Sequence, residues 1–210
     1  MTVLTEGRHP GEFIVSEANR SRSRDNITIA SGSGIVKAGT VLGLLRLGAA
    51  SAAAVVGTGN PTISAVTVTS KAKTGVYRVE FTAATKFDVI DPDGFKIKSG
   101  STGAAYSDDI GFTITAGGTP AVAGDYFLIT VDAGAGTYVP AANTATDGSD
   151  IPAAINIYEV DATDAAMKVA AITRDAEVNG AELEFHSSVD DNTKKNAKKA
   201  ALKDVGIICR

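Results

Sequence analysis

The chain has no tryptophan, one cysteine and two histidines. Each shortage removes a class of chemistry. The lone cysteine, Cys209, makes an internal disulfide impossible, so the fold must be held by packing and hydrogen bonds. His9 and His186 lie far apart in sequence. No H-x-x-x-H, H-E-x-x-H or C-x-x-C spacing is present, which argues against a zinc site. There is no G-x-S-x-G elbow, P-loop or dinucleotide fingerprint. Gly32-Ser-Gly34 and Gly57-Thr-Gly59 read as turn or linker glycines. These shortages together predict a non-enzyme with no catalytic residues, metal or cofactor.

Aromatic residues make up only 6% of the chain. A hydrolase acting on surface polymers would need two converging carboxylates and usually an aromatic platform, and no tryptophan is available for one. The most apolar stretch, Val41 to Val56, is interrupted by Gly43, Arg46, Gly48 and Ser51. It falls short of the ~20 apolar residues that span a bilayer. The first ten residues lack a basic start followed by an apolar run, so no signal peptide is expected. The reading is a protein made in the cytoplasm, with no membrane partner.

What is present is a 210-residue chain, 44% hydrophobic, with a net charge of −4. An acidic balance gives no overall electrostatic reason to seek nucleic acid. Arg20-Ser-Arg-Ser-Arg24 has no interleaved aromatics and reads as a solvated linker. Ile27-Thr28-Ile29 alternates like a strand, and Thr40-Val41-Leu42 begins another. From Ala49 to Gly59 the composition shifts to Ala, Gly and Ser, which reads as a boundary or linker. Period-2 segments then recur. Tyr77, Val79 and Phe81 alternate with Arg78 and Glu80; Phe95 and Ile97 alternate with Lys96 and Lys98; Phe112 and Ile114 alternate with Thr113 and Thr115. Asp91-Pro-Asp-Gly94 is a turn with a mechanism, because Pro presets φ and Gly accepts positive φ. Tyr126 to Val131 is a further strand. Such spacing predicts a small antiparallel sandwich or barrel.

Asp88, Asp91 and Asp93 cluster at that turn, and Asp108-Asp109 forms a second acidic pair. Either group could ligate calcium through oxygen, but the EF-loop glutamate is missing, so turn-forming aspartates are the reading taken. Short strands are expected again around Ile155, Ile157, Val160 and Val169 to Ile172. One stretch, roughly 190–205, reads as helix. Ser188 and Asp191 resemble a capping box. Ala197, Ala200, Ala201, Leu202 and Val205 would form the apolar stripe. Lys194, Lys195, Lys198, Lys199 and Lys203 would face solvent, and Gly206 would end the helix.

Several segments resemble a known family. Gly11-Glu-Phe-Ile-Val-Ser-Glu-Ala18, Arg22-Ser-Arg-Asp-Asn-Ile27 and Ala38-Gly-Thr-Val-Leu-Gly43 resemble the N-terminal signature of lambda-type phage head-decoration proteins. Thr146-Asp-Gly148 with Ala153-Ala-Ile155, Arg174-Asp-Ala-Glu-Val-Asn179 with Glu182-Leu183, and the terminal helix to Gly206-Ile-Ile208 match in order. The likeness covers 11–56 and 137–210. Small members pass almost directly from the Val41-Leu42 strand to the Tyr138-Val139 strand, whereas β-rich sequence intervenes here.

The expected architecture is therefore mainly β with one C-terminal helix. A small β-barrel or β-sandwich-like decoration domain, 27–56 plus 137–210, is interrupted by an inserted antiparallel β domain, 57–136. A flexible N-terminal arm, 1–26, precedes it. The resemblance implies a homotrimer on local three-fold positions of the expanded capsid, with the major capsid protein as partner, on the outer surface of the phage head. The host cytoplasm would hold it before assembly. Gly11, Glu12, Phe13, Ile14 and Val15 of the arm are the expected capsid-binding residues, with Phe13 and Val15 on one face and Glu12 and Ile14 on the other. The other reading is an outward-displayed binding module whose insert recognises host-surface glycan or another head protein.

Overall fold

The computed structural model describes residues 9–210. The chain divides into two compact units, one containing the described residues up to Leu45 together with Gly136–Arg210, the other Arg46–Ala135. Residues 46–56, expected to lie with the flanking segments, belong to the middle unit.

The first pass of the chain builds β1 (Ile14–Glu17), a single helical turn α1 (Arg20–Ser23), β2 (Arg24–Ile29), β3 (Gly34–Val36) and β4 (Val41–Leu44). The run expected to be a solvated linker is thus a helical turn leading straight into a strand. Buried Ser23 fixes it by donating to Glu17 Oε2 at 2.9 Å and to the Ala18 carbonyl at 3.1 Å.

The middle unit follows: β5 (Leu47–Ala52), β6 (Thr62–Ile63), β7 (Thr67–Val68), β8 (Gly75–Ala83), β9 (Lys86–Ile90), β10 (Lys96–Ser101), β11 (Ala105–Ser107), β12 (Ile110–Thr115) and β13 (Tyr126–Ala133). A five-stranded sheet, β10-β9-β8-β13-β5, faces a smaller one built on β12. Alternation places Tyr77, Val79, Phe81, Phe87, Val89, Phe127, Ile129 and Val131 of the larger sheet inward, against Tyr106, Ile110, Phe112 and Ile114. Phe87 meets Tyr106 and Phe112 with ring centroids 6.2 and 5.8 Å apart. Two expectations fail here. The Ala-rich stretch from Ala49 is not a linker up to Ala52, because β5 pairs with β13. Phe95 does not alternate into the core. It precedes β10 and is 70% exposed.

The second pass completes the first unit with β14 (Tyr138–Pro140), β15 (Pro152–Asn156), β16 (Val160–Ala162), β17 (Met167–Ile172), β18 (Ala176–Val178), α2 (Asn192–Ala201), a 3₁₀ turn (Leu202–Val205) and β19 (Ile207–Cys209). Strands β14-β2-β17-β15-β4 close into a barrel. Leu42, Ala154 and Ala171 join Ile27, Ile29 and Val169 in one core cluster; their neighbours Val41, Ile155 and Ile172 join another. Period-2 alternation thus buries both faces of β4, β15 and β17. The second cluster also takes side chains from β18, β19 and the end of the helical segment: Val178, Ile207 and Leu202.

Asp191 caps α2 by accepting the Lys194 N–H at 2.7 Å. The expected Ser188–Asp191 capping box is not formed; Ser188 Oγ instead contacts His186 Nδ1 at 2.9 Å and accepts the Asn143 N–H at 2.8 Å. Gly206 ends the helical segment in the left-handed region, φ 78°. Among the described residues no helix is long and apolar enough to cross a membrane.

Candidate functional site

Of the expected arm residues, Ile14 and Val15 lie in a three-stranded sheet, β1-β18-β19, in which β1 is an edge strand, and Gly11, Glu12 and Phe13 form the turn before it. Residues 1–8 of the arm lie outside the described residues. Gly11 opens a tight turn, with the Ile14 N–H donating to its carbonyl at 3.0 Å. Glu12 is exposed, and its Oε2 accepts the His9 N–H at 3.1 Å. Phe13 is only 1% exposed and packs in the core cluster with Val178, Leu183 and Ile207. Its carbonyl accepts the Asn179 N–H at 2.8 Å. Ile14 is half-buried opposite Val178. Val15 sits at a register shift between Ile14 and Ser16 and is 58% exposed.

Phe13 and Val15 therefore do not share a face. The turn ahead of β1 aims Phe13 inward, and the bulge turns Val15 outward. Residues 13–26, expected in a flexible arm, are tied to the body at several points. The Ala18 N–H donates to the Asp175 carbonyl at 2.9 Å, and Arg24, Asp25 and Asn26 pair with Ile172, Ala171 and Ala170 of β17.

The outer face of this sheet carries Ser16, Glu177 and Ile208, which fall in register. Ser16 Oγ donates to Glu177 Oε2 at 2.9 Å, and Arg210 donates to Oε1 through Nε at 3.1 Å and through Nη2. Arg210 and Ser16 hold the Glu177 carboxyl below its ordinary range. Ile208 is 39% exposed beside them. Glu177, Ile208 and Arg210 were not singled out as site residues. The alternation Ala176-Glu177-Val178 was the available signal, since it places Glu177 opposite its buried neighbours.

The acidic groups have structural partners. Asp91 Oδ1 accepts the Asp93 and Phe95 N–H groups at 3.0 and 2.8 Å, and Lys73 Nζ contacts Asp91 Oδ2 and Asp93 Oδ2 at 2.5 and 2.6 Å. Asp88 pairs with Lys96 at 2.8 Å. Asp109 is pushed up by burial and by Asp108 beside it. Among the described residues no three His, Cys, Asp or Glu side chains converge in a way that would hold a metal ion.

A family model described as bacteriophage lambda head decoration protein D matches residues 3–207, nearly the whole chain. The chain belongs to this family. Family membership makes it a structural protein of the phage head, located in the virion. Among curated proteins none matches. Two crystal structures of Xanthomonas campestris FlgL are similar to parts of this chain. The one in space group H3 is 23% identical with a TM-score of 0.33, covering 46% of this chain and 33% of that one. The one in space group C2 is 20% identical with a TM-score of 0.32, covering 58% and 32%. The chain spans about a third of the length of those structures, and likeness at this level carries no argument about function.

Proposed function

We propose that this protein binds the outer surface of the expanded phage capsid as a homotrimer at local three-fold positions and stabilises the head against packaged DNA. The observation that carries the reading is β1, an edge strand of a family member's first unit with Val15 turned outward. An edge strand offers unpaired N–H and C=O groups, and a segment of the major capsid protein can add to it as a further strand. Each ladder hydrogen bond nets about 0.5–1.5 kcal/mol, whereas ordering a free residue costs roughly 1–2 kcal/mol. Residues 13–17 are already ordered against β18, so capsid contact through them avoids most of that cost. Three such strands on one trimer would add avidity of ~10²–10⁴ over a single contact.

In this reading Glu12 and Val15 touch the shell, while Gly11, Phe13 and Ile14 set their position. The test is co-sedimentation with expanded capsids. The wild-type chain should pellet with them. Val15→Asp should bind at least about tenfold more weakly, a loss of 1.4 kcal/mol or more, with unchanged thermal stability. Equal binding by Val15→Asp would remove β1 from the interface.

The unit Arg46–Ala135 supports a second reading, that of an outward-displayed binding module. Phe95 is held outward on a turn that Asp91 and Lys73 brace. Host-surface glycan or another head protein is its candidate partner. Phe95→Ser should leave capsid binding intact and lower adsorption to host cells; unchanged adsorption would count against this role.

A further inference from the structure

The outward face of α2 follows helical spacing. Asn196, Lys199 and Ala200 fall at i, i+3 and i+4 on α2, and Lys203 follows in the 3₁₀ turn. With Cys209 and Arg210 they line a concavity of about 310 Å³. None of these six residues is acidic. Arg210 is engaged by Glu177. Among the described residues, no ion pair involves Lys199 or Lys203.

Lysines near a helix C-terminus complement its exposed carbonyls, which accounts for their sign. It does not account for their convergence. Both ammonium groups act on the half-buried Cys209 thiol, offsetting part of the upward push from burial. Lys199 Nζ lies 3.3 Å from where a side chain on Gly180 would begin, so the lysine lies close over the Gly180 backbone. Like charges four residues apart on a helix cost a few tenths of a kcal/mol, about 0.2–0.5, and no acid of the lining offsets that here.

The concavity also has a defined neighbour. Its Cys209 belongs to β19, in the same sheet as β1, two strand spacings or about 10 Å away. The Ser16–Glu177–Arg210 hydrogen bonds link the two edges. The concavity and β1 thus sit at opposite edges of one three-stranded sheet, and a capsid surface that extends across that sheet from β1 would reach the lysines at the β19 edge.

We propose that this basic concavity binds a carboxylate-bearing segment of the capsid shell protein, as an electrostatic contact alongside β1. The proposal rests on the capsid-binding reading above. A short acidic segment fits better than DNA, because the chain as a whole carries −4 and would repel an extended polyanion outside the patch.

The test uses the full chain and two double variants, Lys199→Glu/Lys203→Glu and Lys199→Gln/Lys203→Gln, checked for unchanged thermal stability. Capsid affinity at low salt should fall about tenfold or more for the glutamate pair and less for the glutamine pair. The differences should shrink as ionic strength approaches ~0.5 M, where such charges are screened. An acetylated, amidated hexaglutamate peptide should shift the amide resonances of Lys199, Lys203 and Cys209 in the wild type and not in the variants. Equal capsid affinity of all three proteins overturns this proposal and leaves the β1 reading standing. Failure of the wild type to bind capsids overturns the β1 reading, and the peptide titration then decides the site alone. A duplex oligonucleotide that binds more tightly than the peptide overturns the ligand class.

Discussion

An ammonium group buried in a small β protein needs acceptors, and Lys198, 6% exposed, finds the carbonyls of Ala142 (3.3 Å) and Asp150. It pins α2 to the loop before β15. Lys198→Ala should destabilise the chain by about 1–3 kcal/mol, because two carbonyls lose their donor; urea denaturation reads this directly. Burial holds the Lys198 pKa below the ordinary lysine value of 10.5. The folded state therefore sheds this proton before the unfolded state does. Native stability should rise with pH in the window just below 10.5, and Lys198→Met should lack that rise. Asp125 has the opposite sign. Its carboxylate accepts the N–H groups of Val122 (3.0 Å), Gly59 (2.9 Å) and Thr58 (3.0 Å), which hold its pKa below 3.8. This contribution is present above pH 3.8 and is lost as pH falls through the folded value. Asp125→Asn should be less stable than wild type at neutral pH, and the gap should narrow in acid. Gly57, at φ 143°, makes the cradle possible, since a Cβ there would lie 1.9 Å from Asp125 Oδ1. None of this was legible in the residue string. Lys198 sits among five lysines of one run, and it is the one that faces inward. Ala197 and Ala200, expected in the apolar stripe, are exposed. Alanine buries little and lysine can bury its stem, so either type fits either face of a helix.

Strands were legible where β-branched and aromatic residues alternate, as in Tyr77, Val79 and Phe81 of β8. There the pattern and the pleat agree. They were illegible where the side chains are small. β5 reads Leu-Gly-Ala-Ala-Ser-Ala, and pairing with β13 rather than its own propensity makes it a strand. Glycine in β4 has a similar hidden role. A Cβ on Gly43 would lie 1.8 Å from the Ser149 carbonyl oxygen. Gly43→Ala should therefore force the backbone beside β4 apart and cost at least about 1–3 kcal/mol, as overpacked cores do; a thermal melt within error of wild type would refute this. At β1 the pattern misled because a turn and a bulge flank Phe13 and Val15. Phe13→Ala should cost about 3–5 kcal/mol, the usual range for a buried phenylalanine. Val15→Asp, two residues away, should cost almost none. The contrast separates the residue that anchors β1 from the residue that faces outward.

The family signature was readable because its segments lie in the first unit, where the barrel, the β1 sheet and the 3₁₀ turn after α2 share adjoining cores. The middle unit has its own aromatic-rich core, from Leu47 to Val131, and the chain passes between the units only at 45–46 and 135–136. We propose that Arg46–Ala135 is an insertion dispensable for capsid binding. A chain in which a short Gly-Ser linker replaces it should fold, assemble as the full chain does and bind capsids with affinity within about threefold of wild type, under 1 kcal/mol; loss of binding in a folded protein would make the middle unit part of the contact. Electron cryomicroscopy of expanded capsids with and without the protein tests capsid decoration through the first unit most directly. The expected result is added density at local three-fold positions, three copies at each, with the β1-β18-β19 sheet against the shell. Absence of that density, or attachment through Arg46–Ala135 alone, would contradict it.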